Sequence, residues 1–114
     1  MHEACLFCQM NEGAIPVQFL YQDDRCFVIR DIHPLAPTHL LVIPRAHMTD
    51  MNCFREDDRY ALGHLLGVCS QMAKMEDVVE HGYRVTINQG YNAGQTIPHL
   101  HLHLVAGRRL GPEA

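Results

Sequence analysis

His99-Leu100-His101-Leu102-His103-Leu104-Val105 is the stretch on which the fold turns. Its strict alternation has the period of a β-strand, where successive side chains point to opposite faces. Three imidazoles therefore share one face and the leucines take the other. At a rise of about 3.3 Å per residue, neighbouring imidazoles start about 6.6 Å apart, close enough to surround one phosphate-sized group. Near neutral pH an imidazole can be a base, a nucleophile or a metal ligand. Three readings are open at this point: a phosphate site, a metal site on His101 and His103, and a half-exposed strand whose polar positions are histidine.

The preceding loop favours phosphate. Asn88-Gln89-Gly90-Tyr91-Asn92-Ala93-Gly94-Gln95-Thr96-Ile97-Pro98 sets amides, a hydroxyl and small residues just upstream of the imidazoles, and exposed backbone N–H groups there can hold an anionic oxygen. Further out, Val17–Tyr21 and Cys26–Asp31 read as strands joined by the polar turn Gln22-Asp23-Asp24-Arg25. His39–Ile43 reads as a third strand, Tyr83–Ile87 as a fourth and His99–Val105 as the fifth. Pro34 and Pro37 make 31–38 a loop. Asp57–Met75 carries Leu62, Leu65, Leu66, Cys69, Met72 and Ala73 at helical spacing, with Asp57 and Asp58 near the N-terminus. The expectation is an α+β fold: a five-stranded, mainly antiparallel sheet with one long and one short helix, in one domain spanning 1–114.

Charge and composition exclude other classes. Nine Lys+Arg against 13 Asp+Glu leave a net charge of −4, so no basic face is expected for nucleic acid. The longest apolar stretch, Leu40–Ile43, is far too short for a membrane span. Met1–Gly13 lacks the basic start and apolar run of a signal peptide, which points to the cytoplasm and to five reduced cysteines. Cys5-x-x-Cys8 is no thioredoxin-like redox pair, since it is not at a strand-to-helix junction. A metal site and two small buried hydrophobes in a short helix are the readings that stay open for it.

These residues together resemble the histidine triad (HIT) family, in its Hint-like branch of nucleoside phosphoramidases. The resemblance runs through Cys5-Leu6-Phe7-Cys8, Asp23-Asp24, Asp31-Ile32-His33-Pro34, Ala36-Pro37-Thr38-His39-Leu40-Leu41-Val42-Ile43-Pro44, Asn88, Ala93-Gly94-Gln95-Thr96 and Val105-Ala106-Gly107-Arg108. It implies a HIT-like fold and attack by His101 on the α-phosphorus of a purine nucleotide, giving a covalent nucleotidyl-histidine that water cleaves. It implies further that His99 and His103 orient His101 and bind or protonate the phosphate, with His39 in the same pocket. Thr96, Gln95, Gly94 and Asn88 would contact phosphate, and Asp31 the ribose hydroxyls. Leu6, Phe7, Met10, Ile29 and Ile32 would wall the slot for a base such as that of AMP. The resemblance also implies a homodimer and a structural zinc on Cys5, Cys8, His47 and His99. It leaves two rivals to the phosphoramidase: a dinucleoside polyphosphate hydrolase of the Ap4A type, and a nucleotide-binding regulator with weak catalysis.

Overall fold

The computed structural model describes residues 5–49, 51–53 and 55–112. Its elements are α1 (Leu6–Asn11), β1 (Tyr21–Gln22), β2 (Cys26–Arg30), β3 (Thr38–Pro44), α2 (Arg59–Met75), β4 (Tyr83–Ile87) and β5 (Leu102–Ala106). Single 3-10 turns occupy Met51–Cys53, Glu56–Asp58 and Tyr91–Ala93. The sheet runs β1-β2-β3-β5-β4 with every pair antiparallel. The α+β expectation of one long and one short helix on five strands is met.

β3 lies at the centre, and all seven of its residues are buried. Leu40 and Val42 face α2, forming a core with Cys26, Val28, Leu102 and Leu104 against Leu65, Val68, Cys69, Met72 and Ala73. The helix stripe is offset from expectation: Val68 is in the core and Leu66 is exposed. Successive helical residues are about 100° apart, so a face centred on Leu65, Cys69 and Met72 turns Leu66 toward solvent. Leu41 and Ile43 face the other way, packing with Phe7, Cys8, Phe27 and Ile29. The imidazoles lie on this second side.

Four strands differ from expectation at their ends: β2 stops one residue early, at Arg30, and β3 gains Thr38 and Pro44, while β1 and β5 change more. β1 holds only Tyr21 and Gln22, because the chain before Leu20 leaves the ladder. Phe19 instead packs on Phe27 with ring centroids 5.1 Å apart. β5 begins at Leu102 and not at His99, since the Leu100 N–H goes to the Met48 carbonyl and the His99 N–H to the Ile97 carbonyl. The β1–β2 turn is held by Asp23. Its Oδ1 accepts from the Arg25 and Cys26 amides, both at 2.8 Å, and its Oδ2 accepts from Tyr21 Oη at 2.9 Å and faces His64 Nε2 at 2.6 Å. Burial alone would raise the Asp23 pKa; these bonds outweigh it and hold the carboxyl well below the usual carboxylate range.

Candidate active site

Backbone groups assign the tautomers of the histidine row. His101 Nδ1 lies 2.8 Å from the His99 carbonyl, which can only accept, so Nδ1 carries the proton and Nε2 keeps its lone pair. His39 Nδ1 accepts from the Leu35 N–H at 3.0 Å, so its proton is on Nε2, which donates to His103 Nδ1 at 2.9 Å. His103 is thereby left with its own proton on Nε2. The rings of His101 and His103 are 5.0 Å apart, so a nucleophilic nitrogen and an N–H donor stand on neighbouring side chains. Burial first, then the charges of His101 and His39, hold His103 down at about 4 against the opposite pull of Asp31. It is therefore neutral at pH 7, a hydrogen-bond donor and not a cation.

Asp31 follows β2. Its Oδ1 accepts from the His33 amide at 2.8 Å, and its Oδ2 lies 3.4 Å from His39 Nε2. It thus holds the start of the proline loop while one oxygen stays close to the imidazoles. In the upstream loop, Gln95 Oε1 accepts from the Gly90 N–H at 2.9 Å, and its Nε2 donates to the carbonyls of Ile97 and Thr49 at 3.2 and 3.3 Å. The Gln95 amide therefore shapes the loop. Gly94 adopts φ +81°, a left-handed conformation open to glycine, beside the exposed Thr96 and the half-buried Asn88. Of the five residues expected to wall an apolar slot, Phe7, Met10 and Ile29 fall in one cluster, whereas Leu6 is exposed and Ile32 is 85% exposed.

His99 is fully buried and its ring turns away from the other two. Its Nε2–H donates to the Pro44 carbonyl at 2.9 Å, which directs the Nδ1 lone pair at Cys5 Sγ (3.3 Å) and Cys8 Sγ (3.7 Å). His47 Nδ1 lies 3.2 Å from Cys8 Sγ. The four ligand atoms lie within 4.8 Å of one another and can hold a metal ion. Tetrahedral zinc with Zn–S of about 2.3 Å and Zn–N of about 2.0–2.1 Å requires S···N edges of about 3.6 Å. The observed 3.2–3.7 Å brackets that value. A backbone carbonyl on the second nitrogen of a ligating histidine is the usual support for such a ligand. Burial, then the hydrogen bond and charge of Cys5, push the Cys8 thiol up to about 11, a penalty that a divalent cation would reverse.

Sequence reasoning did not anticipate the Leu35 amide that sets His39, nor the Tyr21–Asp23–His64 network. An Asp in a turn signals its amide bonds, but nothing local signals a histidine 41 residues away.

A family model described as HIT domain matches residues 12–110. The chain is 38% identical to a purine nucleoside phosphoramidase of Escherichia coli strain K12 over 112 residues, which covers 98% of this chain and 94% of that protein. Among solved structures, a HIT family hydrolase from Legionella pneumophila Philadelphia 1 superposes with a TM-score of 0.91 at 39% identity, covering 94% of this chain and 96% of that one. A Zn-bound histidine triad family protein from Mycobacterium smegmatis superposes at 0.82 and 31% identity, covering 99% and 81%. Sequence and backbone agree with these proteins along nearly the whole length, the histidine row included, and the chain belongs to the HIT family.

Proposed function

We propose that the chain, as a single domain, hydrolyses purine nucleoside 5′-phosphoramidates of the AMP–amine type. The observation that carries this reading is the 2.8 Å bond from His101 Nδ1 to the His99 carbonyl, which leaves Nε2 as the nitrogen available for attack beside the His103 ring. Nε2 attacks the α-phosphorus, the P–N bond to the amine breaks, and the amine leaves with a proton taken from solvent, which the water of the second step gives back. Water then attacks the same phosphorus, the bond to His101 breaks, and AMP departs. His103 Nε2–H is placed to donate to phosphate oxygen, and Thr96 offers a hydroxyl for the phosphate or leaving group. Asn88 and Gly94 add phosphate contacts, and Asp31 accepts from the ribose hydroxyls with the oxygen the proline loop leaves in place. Met10 and Ile29, with Leu6 and Ile32 at the surface, form the base slot. Similarity to a purine nucleoside phosphoramidase supports the substrate class.

Zinc on Cys5, Cys8, His47 and His99 would be structural. Four protein ligands close the shell, so the ion would supply a crosslink and no open coordination position. We further infer a cytoplasmic homodimer that binds no nucleic acid. The net charge of −4 supports the last point, and the position of β4 at the end of the sheet supports pairing between copies, which would cover an edge strand. Among the described residues no helix is long and apolar enough to cross a membrane.

The test compares native protein with His101→Ala on an adenosine phosphoramidate, following turnover and the intact mass of quenched samples. A nucleotidyl adduct on the native protein alone, with AMP binding kept in the variant, is expected. Turnover surviving in His101→Ala would overturn the mechanism, and faster cleavage of diadenosine tetraphosphate than of the phosphoramidate would overturn the substrate.

A further inference from the structure

Phe7 stands between the cysteine–histidine cluster and the reacting imidazole. Its ring meets the edge of His99 at 5.5 Å and the ring of His101 at 5.0 Å, both in T-shaped geometry. It is only 1% exposed, so it has almost no surface to offer a nucleotide base. The helix that carries it has six residues, well below the roughly 12–15 that an isolated helix needs in water. External anchors must hold α1, and two residues at its start supply them. Cys5 is its N-cap, with Sγ accepting from the Cys8 N–H at 3.5 Å, and both sulfurs lie against His99. His99 in turn presents the carbonyl that accepts the His101 Nδ1–H. The four-residue cluster therefore reaches His101 by two routes: through the Phe7 ring packed on the imidazole, and through the main-chain carbonyl that orients it.

We propose that Phe7 is a positioning residue for His101, and that metal held by Cys5, Cys8, His47 and His99 anchors both Phe7 and the His99 carbonyl. The proposal rests on His101 being the nucleophile and on zinc as the occupant. It separates two properties that a shared pocket would join: occupancy of the cluster governs how His101 is aimed, while the exposed residues govern nucleotide affinity.

The experiment uses protein loaded with Zn²⁺, its chelator-stripped form, and a zinc-loaded Phe7→Leu variant, which keeps all four ligands and an apolar side chain. Two readouts are taken. The first is the NMR signal of the His101 Nδ1–H, with methyl signals of Val28, Leu40 and Leu104 in the opposite core reporting the fold. The second is the split between kcat and KM on an adenosine phosphoramidate. In loaded protein the Nδ1–H signal is expected to be sharp and slow to exchange. Stripping is expected to broaden it or speed its exchange while the core methyls stay in place. Phe7→Leu is expected to weaken the signal and lower kcat about 10- to 100-fold, the scale of a misaligned reacting group, with KM changed less than threefold. A raised KM with unchanged kcat and signal would make Phe7 a base contact and overturn the proposal, as would failure of the protein to bind Zn²⁺. An unchanged signal in stripped protein would also overturn it. Should stripping unfold the core, the Phe7→Leu result decides. If no form turns the substrate over, the phosphoramidase reading fails, and the His101 signal still tests the positioning.

Discussion

Replacing His103 by Asn should flatten the acid dependence of stability. The Asn carbonyl can still accept from His39 Nε2–H, so the buried pair keeps its hydrogen bond while the titrating ring is removed. In the native chain His103 falls from its ordinary 6.5 to about 4, with burial the largest cause. Between those values the unfolded chain binds a proton that the folded chain refuses, so stability is lost as pH falls from 6.5 toward 4 and the loss levels off below. A displacement of about 2.5 units at 1.36 kcal/mol each is worth about 3 kcal/mol, an upper value because the ring is only partly enclosed. The assay is urea unfolding of both proteins at pH 7, 6, 5 and 4. Native protein should lose about 2–3 kcal/mol more than His103→Asn between pH 7 and pH 4. Stability curves that run parallel for the two proteins would refute the reasoning, because His103 would then titrate alike in the folded and unfolded chains.

Leu104 is fully buried on the α2 face, so Leu104→Ala should cost about 2–5 kcal/mol by urea unfolding while KM for an adenosine phosphoramidate stays near native. Gly107 sits at φ +100°, and a Cβ there would lie 2.8 Å from Pro37 Cβ, so Gly107→Ala should lower the melting temperature through about 1–3 kcal/mol of strain. The proline loop that carries Leu35 would have to shift with it. A native melting temperature in that variant would show that the loop yields freely.

How much of this was legible in the sequence depends on the range of each interaction. The alternation at 99–104 is local, and it put Leu100, Leu102 and Leu104 in one core and His101 beside His103 on the other side, whereas His99, ahead of β5, turns its ring to Cys5 and Cys8. Paired prolines likewise marked the loop before β3. The exact start of β5 was not legible, because it is decided by the Met48 carbonyl, a partner 52 positions from Leu100. Residues 17–19 have strand composition, yet the burial of Phe19 on Phe27 outweighs further ladder bonds. Leu66 matched helical spacing but fell at the edge of the stripe, since spacing alone does not choose the centre of a face. For the site, residue types and resemblance named Cys5, Cys8, His47 and His99, and the structure brings their ligand atoms together across 94 positions. The tautomers were beyond the sequence. They depend on which backbone atom each ring nitrogen meets, and chain path alone decides that.

Every residue of β3 is buried, yet its two sides serve different ends. Leu40 and Val42 hold the helix to the sheet, and His39, on the other side, makes the hydrogen bond to His103. Within a single strand, then, neighbouring substitutions should separate into two phenotypes in a cell. Changes at 40 or 42 should lower the abundance of the protein through degradation of unfolded chains, leaving the survivors with normal turnover per molecule. A change at 39 should leave more of the protein in place and reduce what each copy accomplishes. A substitution scan that measures both abundance and activity would resolve these outcomes residue by residue, and a scan that measures growth alone would merge them.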